Sequence, residues 1–390
     1  MSRFEQLIDR KNTASVKWEL TKQIFGEDDL LPMWVADMDF QPPKEVIDAI
    51  SSRVHHGVFG YTYVPPSTQE AIKNWIEKRH NWSIKTSSLV YHTGVVPSIS
   101  TAIQSFTDPG DSVLIQSPVY TPFFDMIEKN GRQVLNSTLK LVNHRYELDF
   151  TEFEKALKQG PKLFLMCNPH NPGGRVWTKE ELLKIGELCL QYNCLILSDE
   201  IHADLVFKPN IHVPIASLDP RLKEISLTCI APSKTFNLAG LQASAVIIPN
   251  PTLREKFTAT QLKQGQFTLN TFGIVGMEAA YRYGEEWLEE LLDYIKNNIE
   301  FAKSYIQSQL PNLSWMEPEG TYLLWIDCRN LNLTPKELQN TLLQKGKIAL
   351  EPGDKYGPGG EGFVRINLAC PRETVEDGLT RIKRAFSELI

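Results

Sequence analysis

Between residues 110 and 250 the chain alternates short apolar runs with amphipathic stretches. DSVLIQ, PKLFLMCN, NCLILSDE, SLTCIAPS and LQASAVIIP each have the length and apolar character of a buried strand. Between them lie stretches such as TKEELLKIGELCLQY, where apolar residues recur at helical spacing and Thr178 precedes Glu181 by three positions, the pattern of a capping box. This alternation predicts an α/β domain with a mostly parallel central sheet flanked by helices. Upstream, STQEAIKNWIEKRH reads as a helix with a basic end that suits the helix dipole. Helical patterning begins near Pro43, and the residues before it read as irregular around DLLPMWVADMDFQPP. From about residue 284 the pattern changes. EEWLEELLDYIKNNIEFAKSYIQSQL predicts one long amphipathic helix. TYLLWIDC and EGFVRINLAC then read as strands, with TPKELQNTLLQ and ETVEDGLTRIKRAFSEL as helices around them. The expected organisation is an N-terminal arm (1–45) that joins a smaller α+β domain (285–390), and a large domain (46–284) between them.

Composition adds mainly exclusions. A chain of 390 residues with 42% hydrophobic and 23% charged residues can bury a large core. A formal net charge of −6, with basic residues scattered, gives no positive field for nucleic acid. No stretch approaches the apolar length of a membrane span, and MSRFEQLIDRK lacks a signal core. The six cysteines form no CxxC pair, and several lie in apolar runs, so they read as buried free thiols in a cytoplasmic protein.

Five places could carry chemistry. In SLTCIAPSKTFNLAG, Lys234 follows an apolar strand; it is either a loop lysine or an amine whose pKa burial lowers enough to attack a carbonyl. In NCLILSDEIHADL, Asp199 ends a strand of a parallel sheet, where ligands gather. A carboxylate there could hold a pyridine nitrogen protonated, and metal binding by Asp199, Glu200 and His202 is the other reading. In LFLMCNPHNPGGRVW, Asn171 could present its amide to a ring substituent, although the motif is also an ordinary turn. In YHTGVVPSISTAIQSF, Gly94 and Val95 precede a helix start suited to a phosphate; downstream, Tyr120 could lie against a planar ring or in the core. In FVRINLAC, Arg365 interrupts an apolar strand and could bind a carboxylate or form a structural salt bridge.

CNPHNPGG, SDEIH and APSKTFNLAG, in this order, resemble the signatures of the class I/II aminotransferase-like, fold-type I pyridoxal-phosphate enzymes. MWVADMDF, TGVVPSI, SPVYTPFF and APSKTFNLAGLQ are most similar to the MalY/PatB-type cystathionine β-lyase and cysteine-S-conjugate lyase branch. The resemblance implies pyridoxal 5'-phosphate as cofactor, joined to Lys234 as a Schiff base. It further implies Asp199 on the pyridine nitrogen, Asn171 on the phenolic oxygen and Tyr120 against the ring. Gly94, Val95 and Ser233 would meet the phosphate, and Arg365 the substrate carboxylate. His202 takes a place commonly held by tyrosine. Tyr61 would reach the neighbouring subunit's phosphate, which implies a homodimer with shared active sites. Where many aminotransferases have a serine three residues before the lysine and an arginine eight after it, this chain has Ala231 and Gln242.

The expected reaction is β-elimination from L-cystathionine and related cysteine S-conjugates, giving a thiol, pyruvate and ammonia. Lys234 would be the base, Tyr120 or Lys234 the acid for the leaving thiolate, and Asn168 and Trp34 further carboxylate-side contacts. Amino transfer with the same residues is the alternative. A non-catalytic regulatory role on the same fold is a second one.

Overall fold

The computed structural model describes residues 2–389. Its centre is a seven-stranded sheet of β1 (Leu89–His92), β2 (Ser112–Ile115), β3 (Gln133–Asn136), β4 (Leu163–Cys167), β5 (Leu195–Asp199), β6 (Ser226–Ile230) and β7 (Ser244–Ile247). The spatial order is β1-β7-β6-β5-β4-β2-β3. The pairs from β6 through β3 are parallel, and β7 runs antiparallel to both its neighbours. The mostly parallel sheet is therefore as the apolar runs predict. β4 and β6 are buried at every position; β4 (LFLMC) is apolar throughout, while β6 (SLTCI) also buries Ser226 and Thr228, and helices cover both faces of the sheet. Thr178 and Glu181 form the expected capping box on the helix Lys179–Gln191.

A second, antiparallel sheet contains β8 (Ser314–Trp315), β9 (Leu323–Asp327), β10 (Glu351–Pro352) and β11 (Phe363–Asn367), in the order β8-β9-β11-β10. The long helix is Glu285–Gln309. Leu31–Pro32 pair in parallel with Ile348–Ala349, tying the N-terminal segment to the C-terminal region. That segment is more ordered than its irregular pattern suggests. Two short helices, Val16–Glu19 and Thr21–Phe25, are defined by the Ser15 cap and by left-handed Gly26. Buried Lys17 and half-buried Arg10 hold Asp39 at 2.7 and 2.8 Å, and Trp18 donates its indole N–H to the same carboxylate. Long-range charge pairing of this kind leaves no periodic mark in the sequence. Among the described residues no helix is long and apolar enough to cross a membrane, and all six cysteines are buried and free.

Candidate active site

Three neighbouring parallel strands end at one place. Cys167, Asp199 and Cys229 are aligned across β4, β5 and β6. The chain beyond them brings Asn171, Asp199 and Lys234 to a cavity of about 670 Å³ at the C-terminal edge of the sheet. Arg365 enters from β11 of the second sheet, and Trp34, Val35 and Ala36 close another side.

Each side chain is fixed by its local sequence. Lys234 sits in the single helical turn Pro232–Thr235 directly after β6. Its Nζ donates to the carbonyl of Ala36 at 2.5 Å, and the Tyr322 hydroxyl donates to the same oxygen at 2.9 Å. The 35–40 segment is held in turn by Asn237, which donates to Met38 and Phe40, and by Asn367, which donates to Val35 and Asp37. The loop after β4 needs both its glycines. Gly174 has φ +69°, and a Cβ at Gly173 would lie 2.7 Å from the Tyr146 ring. With that tight return, the Asn171 side-chain oxygen accepts from Arg365 Nη1 at 2.9 Å.

Burial, reinforced by the charge of Arg365, lowers the Lys234 ammonium to about 8; Asp37 and Asp199 oppose the shift. Burial pushes Asp199 up to about 7 despite the Ile201 N–H, which it accepts at 3.2 Å, and despite Lys234. His202 is driven well below its ordinary value by burial and by the charges of Lys234 and Arg365, and its Nδ1 has no partner. Burial pushes Tyr120 up to about 12, with Asp199 adding to it. Arg365 is buried, donates to Asn171 and to the Trp34 carbonyl, and leaves its Nε without a partner. Among the described residues it makes no ion pair, so the salt-bridge reading of this arginine does not hold. Its guanidinium lies over the Tyr356 ring instead.

The helix Val95–Phe106 begins on the cavity wall with no side chain capping its first N–H groups. Thr93, Gly94, Val96, Ala231, Ser233 and Gln242 also line the cavity. Of the residues expected at the site, Lys234, Asp199, Asn171, Tyr120, Gly94, Val95, His202, Ser233, Arg365 and Trp34 all line the cavity. Two do not. Asn168 is fully buried behind the wall, where its oxygen accepts from the Trp177 backbone and its amide reaches the Val213 carbonyl; its polar atoms are spent on the loop itself. Tyr61 is fully exposed and lies off the cavity of its own chain. Sequence reasoning missed Ala36, Tyr322, Tyr356, Glu351 and Lys355. Glu351 and Lys355 fall in the Pro/Gly-rich, charged stretch EPGDKYGPGG, which reads as a solvated turn and gives no sign of a site. The metal reading also fails for Glu200, which turns away to Ser198 and His212 at 2.8 Å each. No cluster of three metal-ligating side chains occurs among the described residues.

These features fit pyridoxal phosphate. A buried carboxylate with no cationic bond partner matches a protonated ring nitrogen, an amine of lowered pKa matches an aldehyde, and an uncapped helix start matches a phosphate. The comparisons agree. Residues 28–382 match the family model for aminotransferase class I and II. The chain is 48% identical to cystathionine β-lyase PatB of Bacillus subtilis, over 98% of this chain and all of the relative. It superposes on the crystal structure of cystalysin from Treponema denticola, which contains a pyridoxal 5'-phosphate cofactor, with a TM-score of 0.97, 36% identity and full coverage of both chains. With the pyridoxal-phosphate-bound C–S lyase of Staphylococcus hominis the TM-score is 0.91 and the identity 33%, over 99% of each chain.

Proposed function

The chain belongs to the class I and II aminotransferase family, and from that premise we propose that it is a pyridoxal-phosphate-dependent carbon–sulfur β-lyase. It cleaves L-cystathionine and related cysteine S-conjugates to a thiol, pyruvate and ammonia. The observation that carries this reading is that buried Arg365, which has no anionic partner, and the Lys234 amine line one cavity.

The cofactor would be held by Lys234 through Nζ, by Asp199 at the ring nitrogen and by Asn171 at the phenolic oxygen. Tyr120 and His202 would lie against the ring, and Gly94, Val95 and Ser233 at the phosphate. When bound it supplies a ring that takes up the negative charge left as the α-proton departs. Arg365 receives the substrate α-carboxylate in its planar fork, with Trp34 beside it, and so fixes which bond to the α-carbon faces Lys234. Lys234 takes the α-proton. With the amine lowered to about 8, roughly a tenth of it is neutral at pH 7, against fewer than one in a thousand for an ordinary lysine. Asp199 remains ionised once a cation lies against it. Tyr120, pushed up to about 12, keeps its proton and can donate it to the leaving thiolate, as can the newly protonated Lys234.

Two further elements of the reading concern assembly and place. Phe59, Tyr61, Tyr63 and Phe267 are large and exposed, a patch that supports a homodimer in which Tyr61 completes the partner's phosphate site. Six buried thiols support a cytoplasmic enzyme. The decisive assay supplies L-cystathionine to purified, cofactor-loaded protein without a keto acid. Equal amounts of pyruvate and homocysteine are expected. Amino transfer only when a keto acid is added would replace the lyase reading with an aminotransferase one.

A further inference from the structure

Apart from the groups assigned to cofactor and α-carboxylate, the cavity wall carries three charged side chains: Asp125, Glu351 and Lys355. Asp125 is committed to Lys129, one helical turn on, at 3.2 Å. Glu351 lies directly opposite Arg365 in the β10–β11 register, so both side chains leave the same face of the sheet. Its charge is felt at the hydroxyls of Tyr120 and Tyr356. Lys355 stands four residues later, in the turn Gly353–Tyr356, with Nζ 3.2 Å from Glu351 Oε1. The Lys355 side chain is 43% exposed and that of Glu351 14%. The pair therefore stands just outside Arg365, with its carboxylate inward and its ammonium toward solvent.

A substrate with its carboxylate on Arg365 and its α-carbon at Lys234 can run its sulfur substituent toward the rim, where half-exposed Lys355 stands beside Glu351. We propose that Glu351 and Lys355 read the far end of that substituent and select thiol leaving groups that carry their own α-amino and α-carboxylate groups. This rests on the lyase reading and names the substrate class within it. The ammonium of such a tail meets Glu351 and its carboxylate meets Lys355, so one internal pair is exchanged for two intermolecular ones. A pair this exposed contributes little to the fold, so opening it costs little. An alkyl tail leaves the pair closed and gains nothing from it.

The test uses cofactor-loaded wild type, Glu351→Gln and Lys355→Met, with pyruvate release from L-cystathionine and from S-ethyl-L-cysteine. Either substitution is expected to lower the ratio of the two kcat/KM values by roughly tenfold, mainly through the KM for L-cystathionine. The doubly reversed variant, Glu351→Lys with Lys355→Glu, should recover part of that ratio. A parallel loss on both substrates, or no change in the ratio, overturns the proposal and makes the pair part of the wall only. Failure of the lyase reading looks different: wild type would release pyruvate from neither substrate.

Discussion

Arg365→Met separates the role of this arginine in binding from any role in folding. The guanidinium is buried, donates to Asn171 and the Trp34 carbonyl, and has no carboxylate partner among the described residues. Its removal costs two hydrogen bonds of about 1 kcal/mol each and relieves the burial of an uncompensated cation, so thermal stability should change little or rise. Activity should behave otherwise. Losing one partner of a buried, hydrogen-bonded charge pair costs about 2–5 kcal/mol, or roughly thirtyfold to several-thousandfold in kcat/KM. The substrate carboxamide provides the control: wild type should strongly prefer the carboxylate, and the variant should lose that preference. Arg365 also helps to depress the Lys234 amine, so the pH at which cofactor-free protein captures pyridoxal phosphate should move upward in the variant. A variant that keeps its preference for the carboxylate would refute the clamp, whatever its total activity.

Asp199→Asn should uncouple stability from function. The folded-state value of about 7 lies above the ordinary 3.8. Between these two values the folded chain binds the extra proton, and stability falls as pH rises. Cofactor-free Asp199→Asn should therefore melt above wild type at pH 8, by at most about 4 kcal/mol, with the gap closing near pH 4; a constant gap would contradict the assignment. Asp204 accepts from Trp75, His80 and Thr235, the neighbour of Lys234. Asp204→Ala leaves these donors stranded and should cost about 3 kcal/mol by denaturant titration. If Tyr61 serves the partner's site, mixing inactive Lys234→Ala with Tyr61→Ala subunits should restore about a quarter of wild-type activity, since half the dimers then hold one intact site. No recovery on verified subunit exchange would remove Tyr61 from the partner's site.

Four of the five parallel strands were legible as short, mostly apolar buried runs; the fifth, the edge strand Gln133–Asn136, is polar at both ends and only half-buried, and it left no such mark. The chemistry at their ends was legible for the same reason: Asp199 and Arg365 break patterns that burial otherwise keeps apolar. What the sequence hid depends on contacts distant along the chain. Lys234 and Ala36 are 198 residues apart, and Arg365 and Trp34 are 331 apart. The backbone carbonyls that orient both cations have no side-chain signature. Asn168 misled for the converse reason. It shares an Asn-Pro motif with Asn171, yet the Trp177 N–H and the Val213 carbonyl take its amide group, and only the return made by Gly173 and Gly174 decides which asparagine faces the cavity.

Three charged groups of the cavity share a physical logic. Asp199 has no cationic bond partner, Arg365 no anion, and the Lys234 amine is held partly neutral by burial and by Arg365. Pairing Asp199 with Arg365 directly would satisfy both, but the fold keeps them on different sheets, and the second oxygen-directed bond of Arg365 goes to a neutral carbonyl rather than a carboxylate. A self-satisfied site would be more stable and would have nothing left to offer a ring nitrogen or a substrate carboxylate. Binding then supplies the missing charges. Occupancy by pyridoxal phosphate should therefore stabilise the fold more at pH 8 than at pH 5, because only the ionised Asp199 is relieved by a positive partner.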